Sequence, residues 1–111
     1  MKQYNQLPQV AFSILMALSL KERHGYEIIK QVDEDSNGKI KLGPGALYTS
    51  IKQLNDRGLI AEVSHADDNR RRYYKLTGAG KKALISELEL YENAVKLARQ
   101  RQVLTLGPHH A

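Results

Sequence analysis

A few groups of side chains in this sequence could do chemistry. Thr49, Lys52 and Gln53 recur at three- and four-residue steps, so on a helix they share one polar side. Their hydroxyl, ammonium and amide groups suit base edges and phosphates, or equally an ordinary solvated face. Arg70, Arg71 and Arg72 form a run of guanidinium groups, which suits a polyanion or a solvated turn. His65, Asp67 and Asp68 carry metal-ligating atoms, but no further ligand stands at a matching spacing, so a solvated loop is expected and no metal. The segment Gly78-Ala79-Gly80-Lys81-Lys82 has the glycine and lysine content of a phosphate loop. Lys75 stands where the upstream glycine is needed and no Ser or Thr follows Lys81, so it reads as a helix start. No Ser/His/Asp set or carboxylate pair stands in an evident cleft context, so neither an enzyme nor a cofactor is expected.

Composition narrows the field further. The chain has 111 residues, 17 Lys+Arg against 12 Asp+Glu, and a net charge of +5. This length suits one domain with an appended helix. Zero Cys excludes disulfides, thiolate metal sites and a Cys nucleophile. The longest apolar stretch, residues 10–20, carries Ser13 and Ser19, whereas a membrane span needs about 20 apolar residues. Lys21-Glu22-Arg23-His24 follows it in place of a signal-cleavage site. The expectation is a soluble cytoplasmic domain, without a membrane role, whose basic excess permits a nucleic-acid partner.

The elements that must position these groups follow from apolar spacing. A helix starts near Pro8, with Val10, Ala11, Ile14, Leu15 and Leu18 in register and Phe12, Met16 and Leu20 widening the stripe almost all round. Such a helix must be covered on nearly every side, which makes a partner chain useful, with Ile14 and Leu18 as contact candidates. His24-Gly25 breaks it from a short second helix carrying Tyr26, Ile28, Ile29 and Val32, with Tyr26 expected to pack inward. Residues 33–38 are a turn centred on Asn37-Gly38. A third helix covers residues 43–56, with Gly58 at its C-cap. At 100° per residue, Leu47, Ile51 and Leu54 fall in one stripe and Thr49, Lys52, Gln53 and Asp56 opposite, with Tyr48 on the flank. Backbone N–H groups near Gly45 and Ala46 would face a phosphate oxygen.

Residues 59–64 and 71–76 read as two strands of a hairpin with a polar tip at 65–70. Strand alternation would send Arg71 and Arg72 to opposite faces, and Tyr73 and Tyr74 likewise. Thr77 N-caps a last helix over 78–104. There Leu84, Leu88, Tyr91, Val95 and Ala98 alternate four- and three-residue steps, a coiled-coil-like seam. Leu90, Ala94, Leu97 and Leu104 form a second stripe. One stripe is expected to face the chain's own domain and the other a second copy, with Leu84, Leu88, Tyr91, Val95 and Ala98 as the dimer-contact candidates. The divisions are residues 1–77 as a DNA-binding winged helix-turn-helix, 78–104 as a dimerisation helix and 105–111 as a disordered tail.

The motifs carry a resemblance. Gly25-Tyr26-Glu27-Ile28, Gly45-Ala46-Leu47-Tyr48, Leu54 with Gly58-Leu59-Ile60, and the run from Arg72-Tyr73-Tyr74-Lys75 to Leu76-Thr77-Gly78-Ala79-Gly80 resemble the signature of PadR-family transcriptional regulators. The resemblance spans residues 8–104, and four motifs in this order at these spacings make it specific. It implies a mainly α fold with a small β-hairpin: a winged helix-turn-helix, homodimeric through one C-terminal helix. It implies a repressor of double-stranded operator DNA, often released by a small-molecule effector. It also implies that the tyrosine matching Tyr48, the rest of the third helix and the wing touch DNA. Two departures stand out. The family usually has Pro after that tyrosine, where this chain has Thr49. Some short members stack flat drugs on a Trp of the dimer helix, and this chain has no Trp. Two other classes stay open: a winged-helix module for protein–protein interaction, and a drug-binding dimer whose DNA role is secondary.

Overall fold

The computed structural model of the chain describes residues 7–64 and 71–105. Its elements run α1 (Gln9–Leu18), β1 (Arg23–His24), α2 (Gly25–Asp35), α3 (Pro44–Asp56), β2 (Ile60–Val63), β3 (Tyr73–Leu76) and α4 (Gly78–Gln100). The mainly helical class and the winged arrangement with a long last helix are as expected.

Helix α1 is the centre of the core. Pro8 is its N-cap rather than its first helical residue, and the Pro8 carbonyl accepts the Phe12 N–H at 2.9 Å. Ala11, Ile14, Leu15, Ala17 and Leu18 are buried among Ile28, Val32, Leu47, Leu54 and Ile60. The wide apolar circumference is thus covered by α2, α3, β3 and α4 of the same chain. Ile14 at 0% and Leu18 at 3% exposure have no surface left for a partner, which corrects their assignment as dimer contacts. Leu20 lies beyond the helix and is exposed.

Local chemistry explains where the helices stop. Buried Arg23 donates through Nε to the Ala17 carbonyl at 2.9 Å, satisfying an orphan acceptor at the α1 C-terminus. Asn37 and Gly38, at φ of 55° and 80°, turn the chain after α2. At the end of α3, Gly58 has φ +74°; its N–H donates to the Asn55 carbonyl, and the Leu59 N–H reaches back to Leu54. This is a Schellman motif.

The sheet has three antiparallel strands in the order β1-β3-β2, not the two-stranded hairpin expected. Arg23 and His24, read as a simple break, sit opposite Tyr74 and Tyr73. Two residues carry no periodicity, so the strand was invisible to spacing. On the other side Ile60 sits opposite Leu76 and Val63 opposite Tyr73.

Helix α4 starts at Thr77, whose hydroxyl accepts the Gly80 N–H at 3.0 Å and donates to the Gly58 carbonyl at 2.7 Å. Gly80 packs so closely on the Leu59 carbonyl that a Cβ there would overlap it. Gly80, Leu84 and Glu87 are buried, and nothing beyond them on the helix is. Leu84, at 5% exposure, is therefore a core residue, which corrects its place among the dimer contacts. The division between own domain and free surface runs along the helix, not between two stripes, because α4 outruns the domain. It stops at Gln100, short of residue 104. Gln102, at φ 63°, reverses the chain, and the Val103 and Leu104 amides donate back to the Ala98 carbonyl at 2.8 and 3.2 Å. The radius of gyration is 16.2 Å, against about 13 Å for a compact domain of this length.

Candidate nucleic-acid interface

Helix α3 presents two unlike sides. Leu47, Ile51 and Leu54 anchor it in the core, while Gly45, Ala46, Tyr48, Thr49, Lys52 and Gln53 are exposed. Gly43 is the N-cap and offers no side-chain acceptor, so no side chain caps the first-turn N–H groups. Those donors and the helix dipole favour an anion at Gly45 and Ala46. Lys52 pairs with Asp56 at 3.0 Å, one turn on. Both are well exposed, so the pair holds the ammonium loosely.

Beside α3 lies an open cleft of about 470 Å³ lined by His24, Gly25, Tyr26, Tyr48, Arg71 and Arg72. His24 is its buried back wall. The His24 N–H donates to Glu27 Oε1 at 3.1 Å and the Glu27 N–H donates to His24 Nδ1 at 3.4 Å, a capping box at the start of α2. The ring packs edge-on to Tyr73 with centroids 5.2 Å apart, and Arg71 Nη1 lies 3.0 Å from Nε2. Gly25 leaves room for Tyr48: a Cβ would stand 2.5 Å from the Tyr48 hydroxyl, so the phenol would have to move. Arg72 reaches Glu62 only at 3.9 Å and is largely exposed. Tyr74 is buried at the back of the sheet. Burial, then the Glu62 carboxylate, pushes its phenol above the ordinary value.

Several expectations change here. Pairing begins at Tyr73, so Arg71 and Arg72 precede the strand and alternation does not govern them. Both line one cleft. Arg70, with His65, Asp67 and Asp68, lies outside the described residues, as do residues 106–111 of the tail. Among the described residues no acidic or histidine cluster could hold a metal. Tyr26, expected inside, is 66% exposed, with Lys30 Nζ 5.5 Å from its ring centroid. Spacing alone missed it because Ile28 and Val32 suffice to bury the inner face of α2. The His24/Glu27 capping pair was a readable signal, though with His in place of Ser or Thr.

Helix α4 exposes apolar side chains. Leu88, Tyr91 and Val95 are about two-fifths exposed, Leu90 more so, and Ala98 is half-buried. Buried Glu87 accepts the Leu7 N–H at 3.3 Å and the Tyr91 hydroxyl at 2.8 Å. That hydrogen bond, with lesser burial, holds the Tyr91 phenol above its usual value. Tyr91 meets Phe12 edge-on at 5.1 Å, walling a cavity of about 350 Å³ that Met16, Val32, Asp35 and Ile40 also line. No helix among the described residues is long and apolar enough to cross a membrane.

The pattern of the transcriptional regulator PadR-like family matches residues 14–86. An uncharacterized protein of Lysinibacillus sphaericus is 35% identical over 81 residues, 68% of this chain and 72% of that protein. A PadR family transcription regulator of Clostridium difficile superposes with a TM-score of 0.74 at 30% identity, covering 86% of this chain and 99% of that one. Bacillus subtilis PadR in complex with operator DNA superposes with a TM-score of 0.63 at 25% identity, over 73% of this chain and 47% of that one.

Proposed function

This chain belongs to the PadR-like family of transcriptional regulators, and from that premise we propose that it is a homodimeric repressor holding a pseudo-palindromic operator. The observation that carries this reading is one continuous surface: the polar side of α3 beside the Arg71 and Arg72 cleft. A helix about 12 Å across fits a major groove of about the same width. Thr49, Lys52 and Gln53 then face base edges, Gly45 and Ala46 face a phosphate, and the arginines meet the flanking backbone. The solved complex of Bacillus subtilis PadR with operator DNA supports the same use of this fold.

The dimer is supported by the exposed row of Leu88, Tyr91 and Val95, continued by Ala98, on a helix that outruns its own core. Apolar side chains in such a row are normally covered. A small-molecule effector is supported by the cavity beside Tyr91, whose size lies within the ligand-pocket range. It touches α1, α2 and α4, so a ligand there would alter the angle between reading head and arm. Repression is then relieved by changing the spacing of the two α3 helices. Operator affinity measured with and without a candidate compound tests this; an unchanged affinity removes that compound.

Selection of binding sites from a pool of random duplexes tests the function itself. The expected winners carry two inverted half-sites centred about 34 Å apart. A pool that enriches no sequence, from protein that is dimeric in solution, would instead favour a protein-interaction module.

A further inference from the structure

His24 belongs to two structures at once. It is the second residue of β1, opposite Tyr73 of β3, and it is also the N-cap of α2. The strands of the wing therefore meet the helix-turn-helix at this residue. It is buried, at 7% exposure, although its ring carries two polar nitrogens. Toward the wing, Arg71 Nη1 lies 3.0 Å from Nε2 and the Tyr73 ring stands edge-on at 5.2 Å. Toward α2, the Glu27 N–H faces Nδ1 at 3.4 Å. Glu27 Oε1 is 3.6 Å from Nε2, beyond hydrogen-bond reach, and already accepts the His24 N–H at 3.1 Å.

The proton on this ring decides which contact holds. A guanidinium and a backbone N–H can only donate, and a neutral imidazole has one bare nitrogen, so it cannot serve both. The Arg71 contact is shorter and its donor is charged, which makes it the stronger of the two. Nε2 then accepts from Arg71, and Nδ1 keeps the proton. The α2 cap is left to its other half, the bond from the His24 N–H to Glu27. We infer, on the DNA-binding reading above, that His24 is a positioning residue for the wing. Through Nε2 it holds Arg71, and with it the start of β3, against the base of α2. Binding one duplex with both α3 and the wing requires that the two keep one relative placement before DNA arrives. His24 supplies that placement from the interior and reads nothing itself.

The test is a cycle of wild type, His24→Asn, Arg71→Ala and the double variant, titrated against a duplex selected from the random pool. Asn is itself a favoured N-cap, so α2 stays capped while the nitrogen that faces Arg71 is gone. Circular dichroism and thermal melts check the fold of every variant. His24→Asn should weaken binding by about tenfold in the wild-type background. In the Arg71→Ala background it should weaken binding by less than about twofold, because the partner through which it acts is already absent. A residue that only caps α2 would show no loss with Asn. A residue that only packs would show equal losses in both backgrounds. Either result overturns the inference. Nitrogen-15 spectra of the wild-type ring, recorded at about pH 8 to keep imidazoles neutral, need no variant that folds. They should show a bare Nε2 and a protonated Nδ1, and the opposite tautomer would overturn the inference. Wild-type protein that binds no duplex but shows the bare Nε2 would defeat the regulatory reading, and the wing's purpose with it, but not the tie between His24 and Arg71.

Discussion

Lys52 and Lys96 carry the same charge, and both are exposed, yet they should fail differently. Lys52 stands on the polar side of α3, held only by a loose pair with Asp56. Lys96 stands on α4, far along the arm. Lys52→Ala should lower the ratio of operator to scrambled affinity by roughly tenfold, whereas Lys96→Ala should leave it alone. Equal losses in duplex titrations would contradict the base-reading role. Gly25→Ala should act through Tyr48, because the added methyl meets the Tyr48 hydroxyl. Two phenols give a pH prediction. Tyr74 is raised first by burial, and Tyr91 first by its hydrogen bond to Glu87. An unfolded tyrosine loses its proton near pH 10, below the folded-state value of either group. The stability they contribute is therefore complete below about pH 10 and lost as pH rises through the folded values. Denaturant midpoints should fall steadily above about pH 10 in the wild type and less steeply in Tyr91→Phe. Identical slopes would mean that the Glu87 contact does not matter. Tyr48, Thr49, Lys52 and Gln53 were legible as a surface from helical angles alone. The direction of Tyr48 was not, because it depends on the absence of a side chain at Gly25 on another helix.

Helix ends were legible where a residue type carries the physics, and sheet edges were not. Pro44, Gly58 and Thr77 each mark a boundary in sequence, and each does so in the structure. The β1 strand escaped because two residues cannot show alternation, and its pairing with β3 is a long-range event. Gly58 makes the boundary testable. At φ +74°, alanine should cost about 1 kcal/mol and lower Tm by several degrees. Gly80→Ala should cost more, since its methyl would collide with the Leu59 carbonyl rather than merely strain a turn. Thermal melts of the two variants that came out in the reverse order would contradict this packing account. The α4 arm carries the dimer prediction. The paired change Leu88→Asp and Val95→Asp places charge in the exposed row without touching the core. It should yield a folded monomer by light scattering, and an unchanged dimer would show that the row is not the interface.

The molecule is a winged-helix domain with a long last helix that carries an exposed apolar row, 52 Å in its longest dimension. Its net charge of +5 favours approach to a polyanion, but charge alone chooses no sequence. Whole-molecule order was legible because helix, helix, helix, hairpin and long helix follow local patterns in that sequence. The step that did not hold was to name Ile14 and Leu18 as the partner contacts on α1. An apolar circumference shows that a helix must be covered without showing by what, and α2, α3, β3 and α4 of the same chain do it. The claim that joins both ends is a dimer that grips two half-sites with two α3 helices. Its most direct test is fluorescence anisotropy of the purified protein against its own upstream intergenic DNA and a scrambled duplex, at two salt concentrations. The account predicts two chains per upstream duplex, tighter binding to it than to the scrambled one, and weakening of both by salt. Binding by one chain per duplex, or none to either at low salt, would contradict it.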